Sequence, residues 1–163
     1  MKKALAILAT ILLFSFTTLA QSSVSANTTV TASVVKGLTI TPNTGSLDFG
    51  LIGIDAINSQ SPSIDPGSGV SFLVNGQAGK DVNITYTNIS LSGPGTSIAF
   101  NPNLDQTGPS NIYSGATDLP SGDAASLGAT DGNLYLWLGG SLSVAAGQAQ
   151  GDYSGTFTIT VAY

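Results

Sequence analysis

Cysteine and histidine are absent from this 163-residue chain, and so are arginine and glutamate. Without Cys, His or Glu there is no Ser–His pair, no thiolate nucleophile and no ordinary set of zinc ligands. Without Cys there are no disulfides, so stability must come from packing and from hydrogen-bonded ladders. Cations are scarce. Lys2, Lys3, Lys36 and Lys80 are the only ones, set against nine aspartates, for a formal net charge of −5. Nothing in that balance can neutralise a row of phosphates, which excludes nucleic acid as a partner. A cationic partner surface, or plain solubility, fits the charge better.

Aspartate is the one acid present, and paired aspartates can in principle perform acid–base chemistry. Most of them, however, stand beside Gly, Pro or Ser, as in "IDPGSG" (Ile64–Gly69), "SGDAAS" (Ser121–Ser126) and "ATDGN" (Ala129–Asn133). There Asp serves turns by accepting from nearby backbone N–H groups. The D-x-[DN]-x-[DN]-G spacing of a calcium loop does not occur. The chain is therefore not expected to be an enzyme, with no catalytic residue, no metal site and no cofactor.

The first residues form a secretory signal. Met1-Lys2-Lys3 is a basic start, Ala4–Phe16 is apolar, and small and polar residues follow. The apolar run is too short for a membrane-spanning helix, so contact with a membrane is expected during export alone. Cleavage is available after Ala20 or after Ala26, and Ala26 is favoured because the strand pattern begins just beyond it. Residues 27–163 are then one domain, with Lys36 and Lys80 facing the nine aspartates. The expected location is the exterior or surface of a bacterial cell, reached through the periplasm. In that setting the Asn-x-Ser/Thr triplets at Asn27, Asn83 and Asn88 carry little weight.

What is abundant is strand signal. "TTVTASVV" (Thr28–Val35) alternates Val30, Ala32 and Val34 with threonine and serine. Further strands are expected over Gly37–Thr41, Ser46–Gly50, Gly69–Gly76, Asp81–Thr87, Thr96–Pro102 and Asn133–Val144. A closing strand sets Phe157, Ile159, Val161 and Tyr163 against Thr156, Thr158, Thr160 and Ala162. β-branched and aromatic residues fill these runs, and Gly, Pro, Asn and Ser punctuate them. The pattern predicts an all-β protein, an antiparallel immunoglobulin-like β-sandwich of about seven to nine strands. Ile52–Ser68 reads as a loop. Asn103–Gly132 reads as a longer one, anchored by Ile112, Tyr113, Leu119 and Leu127, with a weak edge strand around Asn111–Ser114. No repeat of solenoid or propeller period is present.

Within Asn133–Val144, Leu134, Leu136 and Leu138 point one way and Tyr135 and Trp137 the other. Gly139-Gly140 then marks a bulge, a corner or a close backbone approach. Tyr135 and Trp137 either cover the outer face of a strand buried on its other face or form a stacking platform for sugars. The first reading is preferred.

Two stretches carry a resemblance. "LWLGGSLSVAAGQAQGDYSGTFTITVAY" (Leu136–Tyr163) resembles the ending of a family of secreted bacterial β-sandwich domains catalogued as a domain of unknown function. "LTIT" (Leu38–Thr41) and "LDFG" (Leu47–Gly50) fit the beginning of the same family. Both ends are also similar to the cysteine-free major pilins of the alternate chaperone–usher, colonisation-factor type. Thr29-Val30-Thr31-Ala32-Ser33-Val34 matches their donor strand, and Gly151, Tyr153, Ser154 and Gly155 match their Gly-x-Tyr-Ser-Gly turn. The resemblance implies an incomplete sandwich completed by the N-terminal strand of the next subunit. Val30, Ala32 and Val34 would be the donor side chains, and Phe157, Ile159, Val161 and Tyr163 the receiving ones. The partners implied are other copies of the chain in a fibre, a periplasmic chaperone and an usher. The alternative is a self-complemented monomeric surface domain that binds glycan or protein through its loops. The same strand serves either arrangement.

Overall fold

The computed structural model describes residues 28–43 and 45–163. The expected signal segment, residues 1–26, lies outside them. Among the described residues are ten strands: β1 (Thr39–Pro42), β2 (Ser63–Ile64), β3 (Val70–Asn75), β4 (Asp81–Thr85), β5 (Ile89–Leu91), β6 (Ile98–Gln106), β7 (Thr117–Asp118), β8 (Ala124–Ser126), β9 (Asn133–Ser143) and β10 (Thr160–Ala162). Every pairing is antiparallel. The larger sheet runs β1-β3-β9-β6-β5, with β2 added to β9 and β7 to β6, and the smaller runs β10-β4-β8. The two sheets enclose one core, so the expected β-sandwich is the fold.

β9 is the spine of the larger sheet. β3 pairs with it from Asn133 to Leu138, and β2 takes over the same edge at Gly140 and Ser141. β6 covers the opposite edge from Leu136 to Ser143. The alternation legible in "NLYLWL" decides which face is buried: Leu134, Leu136 and Leu138 enter the core, and Tyr135 and Trp137 face outward, half-buried. Val82, Ile84, Ala125 and Leu127 meet them from β4 and the β8 region. Each fully buried Leu, Ile or Val is worth about 1.5–3 kcal/mol relative to exposure. Gly139-Gly140 proves to be a close approach, since a Cβ on Gly139 would stand 2.3 Å from the Ile64 carbonyl oxygen.

β6 runs four residues past the expected end at Pro102, to Gln106. Proline removes a donor and usually ends a central strand. Here Pro102 falls in the gap where β5 has already left that edge and β7 has not yet joined it, so its missing N–H is not needed there. The extension brings Leu104, fully buried, into the core. The stretch expected as a long loop is thus divided among the end of β6, β7 and β8. Leu119 and Leu127 anchor it as expected, and the Leu119 N–H donates to the Leu104 carbonyl at 2.8 Å. The edge strand expected at Asn111–Ser114 is not there: this segment is turn and bend, with Ile112 exposed.

Three other expectations need correction. The strand expected over Thr28–Val35 is absent, and all eight of its residues are exposed. Ser46–Gly50 also lacks strand pairing, although Leu47 and Phe49 pack against the core. The closing strand pairs over only Thr160–Ala162, with β4. The reason is common to all three. Alternation states that one face can be buried, but a strand also needs a neighbouring edge for its N–H and C=O groups.

Candidate functional site

The unpaired segments share one place. Residues 45–53 and 155–159 lie outside the strands, and among the described residues neither makes a backbone–backbone hydrogen bond. Leu47, Phe49 and Ile52 of the first and Phe157 and Ile159 of the second pack against the core. Leu51 is exposed, and Gly50, at a φ of +64°, donates its N–H to Asp48 Oδ1. Between them lies an apolar groove of about 830 Å³. Leu47 and Phe49 line it from one segment and Phe157 from the other, while Val70, Phe100 and Leu142 of the larger sheet form its floor. Phe100 reaches both walls. Its ring lies 6.0 Å from that of Phe49 and 6.0 Å from that of Phe157, edge-to-face in each case. Edge-to-face pairs at this separation are favourable beyond their buried area, which fixes the width of the floor.

Residues 151–155, which bend at Gly151, also line the groove. Ser92 and Ser154 exchange two backbone hydrogen bonds, at 2.8 and 3.0 Å. The Tyr153 ring lies over Gly93, where a Cβ would stand 2.5 Å from it. The Tyr153 hydroxyl accepts from Gln148 Nε2 at 2.8 Å and donates to the Ala149 carbonyl at 3.0 Å. Gln148 is buried, and its side-chain amide also donates to the Thr96 carbonyl. Gly151 has a φ of +138° and packs on Pro94, so this position demands glycine. Where "GDYSG" predicts a turn, the chain has a bend at Gly151 and a bridge from Ser154 to Ser92, which ties this segment to residues 92–96.

The far end of the 155–163 segment belongs to Tyr163. It is 48% exposed and does not hold the core, contrary to its place in the alternation. Its hydroxyl accepts from the Gln77 N–H at 2.8 Å and donates to the Lys36 carbonyl at 2.5 Å. Phe157, Ile159 and Val161 do turn inward, half-buried against the core, as the pattern expects. Val30 is 88% and Val34 94% exposed, and Ala32 between them is exposed too. A row of small apolar side chains with no face to cover is unusual on a chain that otherwise buries its aliphatic residues.

Tyr135 and Trp137 lie away from the groove, on the outer face of β9. The Trp137 indole N–H donates to Thr107 Oγ1 at 3.0 Å, and Tyr113 packs on it edge-to-face at 5.5 Å. The Tyr113 hydroxyl in turn donates to Asp105 Oδ2 at 2.5 Å, and that bond holds its pKa above the usual tyrosine value. Sequence reasoning did not single out Phe100 or Gln148 as parts of a site. Their signal is spatial, arising where β6 and the turn before Tyr153 close on the groove. No three metal-ligating side chains come together among the described residues.

Comparison with protein families matches the family described as "Domain of unknown function (DUF4402)" over residues 14–163. Comparison with curated proteins finds no match.

Proposed function

The chain belongs to the DUF4402 family, and from the open groove and the exposed residues 28–35 we propose that it is a secreted structural subunit of a bacterial surface fibre. In this reading, residues 28–35 of one copy enter the groove of another and pair with both unpaired segments. The observation that carries it is the groove whose two walls make no backbone–backbone hydrogen bond among the described residues, in a chain whose alternating residues 28–35 are all exposed. Strand addition to an open edge takes its affinity from main-chain hydrogen bonds and its specificity from alternate side chains. Val30 and Val34 would each contribute roughly 1.5–3 kcal/mol on burial, and Ala32 less. Completing the receiving domain adds to this, because unpaired backbone and half-exposed apolar walls are liabilities until covered.

The groove needs a temporary occupant during export, which is the role assigned here to a periplasmic chaperone, with an usher at the outer membrane. The chain's acidity suits a partner that presents cationic side chains around the groove. The test is electrophoretic. Mature protein from the cell surface, run in detergent without boiling, should give a ladder of multimers that collapses on boiling. An excess of synthetic peptide with the Thr28–Val35 sequence, present during assembly, should shorten the ladder. A single monomer band from native surface material removes the proposal.

A further inference from the structure

The two ends of the sandwich differ in charge and in what they leave uncovered. β9 runs between them, and its 11 residues span roughly 35 Å. At the Asn133 end, the Lys36 N–H donates to Gln77 Oε1 at 3.4 Å, its ammonium to Asn75 Oδ1, and its carbonyl accepts from the Tyr163 hydroxyl. That hydroxyl occupies a notch over Gly76, where a Cβ would lie 2.8 Å from it. Lys80 joins the same end, its N–H donating to the Gln77 carbonyl at 3.2 Å. Both cations of the described residues therefore stand here, in company with Asp81 and Asp131. The Val144 end carries acid without a cation: Asp152 is exposed and Asp55 half-buried. Its loop is braced. The Asp55 carbonyl accepts from the Gly147 N–H at 2.9 Å, and Asp55 Oδ1 accepts from the Ile57 and Asn58 N–H groups at 2.8 and 3.2 Å. Gln60 then pairs with Val144. The loop so fixed turns Leu51, fully exposed, and Ile57, 85% exposed, to solvent. Leu51 and Ile54 also line the groove, so a partner seated on this loop would be continuous with whatever fills the groove.

We propose that the Leu51–Asn58 loop is a second contact between successive copies, seated on the Lys36 and Lys80 end of the copy whose residues 28–35 fill the groove beside it. This rests on the fibre reading above. The inserted segment is rooted at Lys36, so the donor's lysine end must abut whichever end of the groove residue 35 leaves by. Leaving at the Gly151 end sets two lysines against Asp55 and Asp152. Leaving at the Tyr163 end would set lysine against lysine, and such like-charge contacts are unfavourable. The Gly151 exit also runs the inserted segment antiparallel to residues 155–159, the more stable kind of pairing. The two surfaces are different patches at opposite ends of one domain, so the contact repeats head to tail and does not close.

The chain has no cysteine, so introduced thiols are read without background. The full mature chain carrying Val35→Cys and Ile57→Cys is assembled and treated with a short bis-maleimide. Both side chains are exposed, so neither change empties the core. Within one copy the two thiols stand at opposite ends of β9, out of the reagent's reach. Across the contact they should be joined, giving a ladder that survives boiling, while either thiol alone gives no linked dimer. Reversing Lys36 and Lys80 to glutamate should slow assembly roughly fivefold at low salt, the upper range for an exposed pair. Adding Asp152→Lys should restore much of the rate. Asp118→Lys, the same change in charge on the flank of the larger sheet, should not. An unboiled ladder of normal length without linked multimers overturns this contact and leaves the fibre reading standing. So does a dimer linked through Val35→Cys alone, an assembly rate indifferent to the charge reversal, or equal rescue by both aspartate changes. No ladder at all, even from the unaltered chain, overturns both.

Discussion

β9 and the 155–162 segment are written in the same code, large apolar residues at every second position, yet they meet different fates. β9 is paired on both edges along nearly its whole length, and its inward leucines are sealed. The other segment is paired on one edge over Thr160–Ala162, and its inward Phe157 and Ile159 stay half-exposed. The difference lies in the edges and not in the face. In the larger sheet, β3 and β6 arrive from both sides to take up the backbone of β9. In the smaller sheet, β4 is the one strand that pairs with this segment, and residues 155–159 make no backbone–backbone hydrogen bond among the described residues, leaving the groove.

That contrast can be broken at several points. The largest effect is expected at Val30. Val30→Asp places a charge where the proposed occupant must enter an apolar groove, and multimers should vanish from the unboiled gel. The melting temperature of the monomer should hardly change, because Val30 is 88% exposed there. If multimers persist, residue 30 is not in the groove.

Next come the two apolar rows. Leu136→Ala empties a fully buried site and should cost about 2–5 kcal/mol in denaturant unfolding. Phe157→Ala in the monomer should cost less, since the ring already faces open space on one side. In multimers the gap should narrow, because the occupant would seal Phe157. Equal losses in monomer and multimer would mean that nothing covers the ring.

Gly140→Ala probes the closed side again. Gly140 has a φ of +145°, and a Cβ would stand 2.5 Å from the Asn101 carbonyl oxygen. A strained backbone of this kind costs on the order of 1–3 kcal/mol, and the contact adds to it. Calorimetry of monomer and multimer should show the same loss, since this strand is complete in both.

The smallest effect concerns pH. The Tyr86 hydroxyl donates to the Leu119 carbonyl at 2.8 Å, and burial, followed by the nearby Asp118 carboxylate, raises its pKa above the ordinary 10.0. A pKa raised by folding contributes stability that is present below pH 10 and lost as pH climbs through the folded value. Unfolding free energy should therefore fall on the alkaline side, and Tyr86→Phe should flatten that fall. An unchanged alkaline slope in Tyr86→Phe would locate the titration elsewhere.

Much of the fold was legible because it depends on periodicity. The leucines of β9, the inward Val82 and Ile84 of β4, and the bend at Gly151 all follow from local pattern. β7 and β8 were not legible, since "TD" and "AAS" carry too little apolar contrast to stand out from a loop. Leu104 was hidden by Pro102, whose tolerance depends on where β5 and β7 end. Tyr163 was misassigned because alternation places it inward, while the notch over Gly76 gives its hydroxyl two partners at the surface. The groove is a property of missing neighbours, which no single segment encodes.

The backbone of residues 155–159 and 45–51 is where an open groove and a filled one differ most. Amide hydrogen exchange of these residues should be fast in the Val30→Asp monomer, where no ladder protects them, while β9 amides exchange slowly in the same sample. In wild-type multimers the 155–159 and 45–51 amides should slow by orders of magnitude, toward the β9 values. Exchange that is equally fast in monomer and multimer would show that the groove stays empty, and would contradict the account.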